Sequence, residues 1–185
     1  MKPTFNDYYM LVALTVRERA NCIGRKVGSI IVKDNRIIGT GYNGTPEGMT
    51  NCEDNGCIRC SEYRTAGEWY DKCICVHAEQ NAMITAARFG NSIAGSTIYS
   101  TLQPCFSCLK EMLQAKVESV YYLDELHKPN DKNDDEKKTY EDFINQYEKL
   151  QSRFKKMPSR IEKSELYLAL NNITDKLKKD LNNIK

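Results

Sequence analysis

His77 and Glu79, two residues apart in "CVHAEQNAMI", are followed along the chain by Cys105 and Cys108 in "LQPCFSCLKEML". An imidazole nitrogen and two thiolates are the three protein ligands of an open tetrahedral zinc site, with the fourth position left to water. Pro104 ahead of Cys105 puts the sulfurs in the first turn of a helix, where unpaired N–H groups and the helix dipole favour the thiolate. Zinc held in this way lowers the pKa of a bound water, and Glu79, at the start of its own helix, can point into the same pocket as an acid/base without ligating. Taken singly, each residue also has a plain reading: a satisfied structural histidine, two core cysteines, a carboxylate opening a helix. The joint spacing, H-x-E followed by P-C-x-x-C, favours the metal site and resembles the signature of zinc enzymes that hydrolyse an exocyclic amine from cytosine or adenine.

Those residues need elements to position them. "FNDYYMLVALTVRERA" places Phe5, Tyr9, Val12 and Val16 on one face of a first helix. "KVGSIIVKDNRIIGTGY" reads as two strands, 27–33 and 36–42, joined by a turn at Asp34 and Asn35. A helix over 77–89 carries a buried stripe of Ala78, Ala82, Ala86 and Phe89 and stops at Gly90. "GSTIYST" is a strand, "CFSCLKEMLQA" a helix and "VESVYYL" a further strand, so the sheet is partly parallel with helical crossovers. Between the second strand and His77, residues 43–75 show no sustained period and read as a long irregular segment that requires an anchor.

The chain has 185 residues, a formal charge of +2 and 41% hydrophobic content, which fits one globular core with an appended element. The small charge and the lack of a basic-aromatic tract argue against a nucleic-acid partner. The opening residues interleave charges with apolar positions and read as neither a signal peptide nor a membrane span, so the expected location is the cytoplasm. Six of the eight cysteines precede Val76 and none follows Cys108, a distribution that suits metal-bound thiolates better than a disulfide framework. Beyond "LDELHKPND" the composition turns strongly polar. A helix is expected from about Tyr140 to Lys156. A second, capped by Ser159 and Glu162, has Leu166, Leu170, Ile173, Leu177, Leu181 and Ile184 on one face.

Residues 5–123 resemble the deoxycytidylate deaminase family of the cytidine deaminase-like superfamily, through "RKVGSIIVKDNRIIGTGYNGTPEG", "NCEDNGC", "CVHAEQNAMI", "GSTIYSTLQPCFSC" and "VESVYYL". Outside the resemblance, composition and helical period read 131–185 as a charged connector with a C-terminal helical extension, while the resemblance itself implies a three-layer α/β/α sandwich with a mixed central sheet and a catalytic domain over 1–130. It implies hydrolysis of dCMP to dUMP and ammonia at a zinc ion held by His77, Cys105 and Cys108, with Glu79 as the acid/base. By the same resemblance Asn43 meets the nucleotide sugar, Arg25 or Lys26 the 5′-phosphate, and backbone at Ala78 and Thr101 the base edge. Cys22, Cys52, Cys57 and Cys73 match a second, structural zinc site, with Cys60 and Cys75 as substitutes. The family further implies activation by dCTP and inhibition by dTTP, magnesium accompanying the triphosphate, and a homo-oligomer such as a hexamer. One departure is Leu126 before His127, where many relatives carry tyrosine and histidine. A deaminase of another cytosine or adenine nucleotide or of RNA, and a catalytically silent nucleotide-binding subunit, remain the competing readings.

Overall fold

Thr4 begins the first ordered element by closing a reciprocal cap with Asp7. The Asp7 N–H donates to Thr4 Oγ1 (3.2 Å), and the Thr4 N–H donates back to Asp7 Oδ2 (3.2 Å). The computed structural model describes residues 2–62, 72–125 and 154–157. Within them lie α1 (Phe5–Arg17), β1 (Gly28–Lys33), β2 (Arg36–Tyr42), α2 (Ile58–Glu62), α3 (Ala78–Arg88), β3 (Thr97–Leu102), α4 (Phe106–Gln114), β4 (Ser119–Asp124) and β5 (Phe154–Lys156).

The sheet order is β2-β1-β3-β4-β5. β1 runs antiparallel to both β2 and β3, while β3, β4 and β5 are mutually parallel, giving the mixed sheet expected. The β1–β2 hairpin turns at Asp34 and Asn35, both with positive φ (50° and 59°), the backbone geometry that tight two-residue hairpins demand. The parallel β3–β4 pair is linked through α4, since parallel neighbours need a crossover rather than a hairpin.

Alternation along the strands sorts the core into two layers. Ile30, Val32, Tyr99 and Leu123 pack with Tyr9, Met10, Ala13 and Leu14 of α1 on one side. Ile31, Ile98 and Val120 pack with Ala82 and Ala86 of α3 and with Cys108, Leu109 and Met112 of α4 on the other. The result is an α/β/α sandwich.

Four expectations are corrected. The buried face of α1 is Tyr9, Met10, Ala13 and Leu14, with Val12 and Val16 at its margin, whereas Phe5 at the helix start is 65% exposed and stacks on Tyr9 with ring centroids 6.2 Å apart. Phe89 is 75% exposed because α3 has already ended and Gly90, at φ 72°, turns the chain away. The segment taken as irregular contains a 3₁₀ turn at Cys52–Asp54 and the short helix α2. Residues 154–156 are strand rather than the end of a helix: they pair in parallel with Val120–Tyr122, and Met157 then enters the α1-side core. Filling the open hydrogen-bonding edge of β4 outweighs local helix propensity there. The expected helices over the rest of 140–185 lie outside the described residues.

The α3 helix lies unusually close to β2. A β-carbon on Gly41 would fall inside the contact radii of the Ala78 carbonyl oxygen and the Ala82 amide nitrogen, so this position requires glycine. Asn81 Nδ2 donates to the Tyr42 carbonyl (2.8 Å) and fixes the same contact. Gly41→Ala is expected to lower unfolding stability by about 1–3 kcal/mol, the usual cost of overpacking. Denaturant unfolding with an unchanged midpoint would show that α3 does not need this approach.

Candidate metal and active site

Two helix starts meet at the carboxyl end of β3. The chain leaving β3 passes Gln103 and Pro104, and Cys105 caps α4 in an extended conformation (φ −71°, ψ 167°). Opposite it, a two-way backbone bridge between Gly44 and Val76 (3.3 and 2.8 Å) delivers the chain to His77, which caps α3 in nearly the same conformation (φ −70°, ψ 155°). Gln80 ties the two helices together: its Oε1 accepts from the His77 N–H (3.1 Å) and its Nε2 donates to Glu111 Oε1 on α4 (3.0 Å).

His77 Nδ1 stands 3.4 Å from Cys105 Sγ and 3.5 Å from Cys108 Sγ, and the two sulfurs are 3.6 Å apart. A tetrahedral zinc with ordinary Zn–N and Zn–S bonds separates its ligand atoms by about 3.5–3.8 Å. The three donors therefore already stand at the spacing of a zinc site, and their chemistry, one imidazole and two sulfurs, suits that ion. Cys105 is pushed down to about 4, foremost by the hydrogen bond from the Cys108 thiol and further by His77 and the Cys108 backbone N–H. Cys108 is pushed up, first by that same shared proton and then by burial. His77 is raised to about 9, chiefly by the Cys105 sulfur beside it, against a lowering effect of burial. A site this rich in negative sulfur favours a cation in place of these protons.

Glu79 is 4% exposed and lies against the same cluster. Its Oε1 accepts a hydrogen bond from Ser100 Oγ (2.8 Å), and Oε2 lies 3.8 Å from Cys108 Sγ. Burial raises its pKa, while Ser100 and the His77 charge act the other way. A desolvated carboxyl group anchored at one oxygen, with the other facing a ligand sulfur, is suited to carrying protons. Ser100 did not emerge from the sequence, although strand alternation puts it on the same side of the sheet as Ile98, the α3 side.

The remaining candidates fall into two groups. Asn43, Ala78 and Thr101 are buried around this end of the sheet. Asn43 clips the approach to β1, with its Oδ1 accepting from the Val27 N–H and its Nδ2 donating to the Arg25 carbonyl (both 2.7 Å). An amide group can make four such bonds, so this structural duty leaves capacity for a ligand. Thr101 Oγ1 accepts from the Gly28 N–H (3.1 Å), and Ala78 sits behind His77 against Gly41. Arg25 and Lys26 are solvent-exposed on the segment that Asn43 holds. Leu126 and His127 lie outside the described residues.

The other six cysteines, the expected four together with their substitutes Cys60 and Cys75, converge in two overlapping groups. Cys22 and Cys52 group with Cys60 and Cys75, while Cys57 and Cys73 group with the same Cys60 and Cys75, the sulfurs within each group lying within 4.8 Å of one another. The overlap has a local cause. Cys60 lies one helical turn beyond Cys57, its N–H bonded to the Cys57 carbonyl, and Cys73 and Cys75 are two residues apart, so each stretch contributes one sulfur common to both groups and one that belongs to a single group.

A family model for the "Cytidine and deoxycytidylate deaminase zinc-binding region" matches residues 3–124. The chain therefore belongs to the cytidine and deoxycytidylate deaminase family. It is 40% identical over 123 residues to the deoxycytidylate deaminase of Schizosaccharomyces pombe and 38% identical over 122 residues to that of Saccharomyces cerevisiae. These matches cover 65% and 66% of this chain but only 37% and 38% of the yeast proteins, little more than a third of their length. Among solved structures, the dCMP deaminase of the cyanophage S-TIM5, in complex with dCMP and dUMP, aligns with a TM-score of 0.61 at 34% identity, covering 85% of this chain and 99% of the phage chain.

The geometry sets an expected metal balance. His77→Ala and Cys105→Ala should each lose one zinc per chain relative to the unaltered protein, measured by elemental analysis after dialysis. Undiminished zinc in both variants would place the metal elsewhere.

Proposed function

We propose that the chain hydrolyses dCMP to dUMP and ammonia. The observation that carries this reading is the triangle of His77 Nδ1, Cys105 Sγ and Cys108 Sγ at zinc-ligand spacing with the buried Glu79 carboxyl beside it. Zinc bound to those three atoms supplies an acidified water as nucleophile for the carbon that bears the amino group.

The chain's own residues then move the protons and hold the base. Glu79 Oε2 takes one proton from the attacking water and passes it to the neighbouring ring nitrogen, then takes the second from the hydroxyl so added and passes it to the amine, which departs as ammonia as the carbonyl forms. Its Oε1 stays anchored to Ser100 Oγ through the cycle. Asn43, at the turn beside the Gly44–Val76 bridge, contacts the sugar, and the exposed Arg25 or Lys26 on the segment it clips meets the 5′-phosphate. Backbone groups at Ala78 and Thr101 read the base edge. The choice of a deoxycytidine monophosphate rests on likeness to the yeast enzymes and to the phage enzyme whose structure holds dCMP and dUMP.

We further propose, from the family resemblance of the sequence, a homo-oligomer such as a hexamer, activated by dCTP and inhibited by dTTP with magnesium accompanying the triphosphate. The catalytic unit is residues 1–130, and 131–185 form an extension attached to it through β5.

Ammonia release from dCMP by zinc-replete protein, with and without dCTP and magnesium, tests the reading. Turnover is expected, and Glu79→Gln should reduce it by about 10²–10⁴-fold while keeping its zinc. A folded, zinc-loaded protein that leaves dCMP intact under both conditions would defeat the substrate assignment. Ser100→Ala should lower kcat about tenfold with zinc content unchanged, as expected from losing a hydrogen bond worth about 1.4 kcal/mol. An unchanged kcat would show that Ser100 does not position the carboxyl group.

A further inference from the structure

Where the long segment between β2 and α3 packs against the end of α1, the molecule has a third interior cluster made almost wholly of cysteine. Cys22, Cys52, Cys57, Cys60 and Cys75 are buried together, with Cys73, Ile23 and Ile74 at the margin. Two isoleucines are too little apolar surface to fasten a segment of this length. The sulfurs are also not set for disulfides. Cys22 and Cys60 are 4.0 Å apart and Cys57 and Cys73 are 3.9 Å apart, far beyond an S–S bond of about 2.05 Å but close to the roughly 3.8 Å edge of a zinc tetrathiolate.

The grouping of the six is the decisive feature. In two sets of four, all the sulfurs lie within 4.8 Å of one another, close enough to gather around one ion, and the sets have Cys60 and Cys75 in common. Two separate tetrathiolate sites would need eight cysteines, and outside the His77 site the chain has six. Two tetrahedra that share an edge need six. The contacts agree with this division of roles. Cys75 lies within hydrogen-bonding reach of Cys22 in one set and of Cys73 in the other, and Cys60 contacts Cys22 and Cys52 on one side and Cys57 on the other.

We propose that these six cysteines hold two zinc ions in one binuclear thiolate cluster, with Cys60 and Cys75 bridging, Cys22 and Cys52 completing the first site and Cys57 and Cys73 the second. On binding, two divalent cations displace six protons from the six thiols into solvent, which leaves a doubly negative cluster enclosed by the protein. The cluster joins the end of α1, the 3₁₀ turn, α2 and the strand-like approach to α3. Cys75 is two residues from His77, so the same assembly sets the backbone that presents the imidazole.

The assignment is independent of the deaminase reading, and its test needs no substrate. Elemental analysis of the unaltered chain should give three zinc ions, and the Cys105→Ala/Cys108→Ala variant should retain two. In the unaltered protein exchanged with NMR-active cadmium, two resonances in the tetrathiolate range should be split by coupling to each other through the bridging sulfurs. This second readout stands even if the double variant does not fold. One tetrathiolate resonance, two that show no mutual coupling, or a metal-free cluster of disulfides by mass spectrometry would each overturn the proposal.

Discussion

The structure depends on bringing two helix N-termini together at one end of a sheet. His77 and Cys105 each occupy the capping position, where the backbone is still extended and the side chain reaches past the helix end. Unpaired N–H groups at such an end stabilise negative charge. Thiolates and a carboxylate can therefore be gathered in an interior that would otherwise reject them. The cost of burying Glu79 is offset in part by Ser100 and by the charge on His77.

Much of the fold serves that meeting. β3 supplies Ser100 from its interior and Cys105 just past its end, so a single strand sets both the partner of the Glu79 carboxyl and one of the three clustered donor atoms. Gly41 lets α3 lie almost against β2, which brings His77 level with the end of β3. Gln80 and Glu111 then hold the relative rotation of α3 and α4. On the far face, α1 with Met10 and Leu14 closes the core. No described helix is long and apolar enough to cross a membrane.

The site was more legible in the sequence than its surroundings. His77, Glu79, Cys105 and Cys108 could be grouped as candidates because metal ligation restricts both residue type and spacing, and the structure brings their side chains together. The hairpin was legible for a similar reason, since few residues tolerate the positive φ found at Asp34 and Asn35. Helix periodicity was a weaker guide at element ends: Phe5 and Phe89 fit an apolar stripe by number but lie beyond the part of each helix that meets the sheet. β5 carried no signal of its own, because its pairing is decided by the exposed edge of β4 far away in sequence. The cysteine pairing was illegible for a different reason. Six similar ligands in a loop allow many partitions, and only their positions in space single out Cys60 and Cys75 as shared.

The most direct measurement is anomalous diffraction at the zinc edge from crystals soaked with dCMP. The expected result is a zinc peak about 2.0–2.3 Å from His77 Nδ1, Cys105 Sγ and Cys108 Sγ, with the pyrimidine edge that carries the amino group in dCMP and the new carbonyl in dUMP between that peak and Glu79. A peak bound through His77 Nε2, a peak lacking either sulfur, or a nucleotide turned away from Glu79 would contradict the geometry on which the assignment rests.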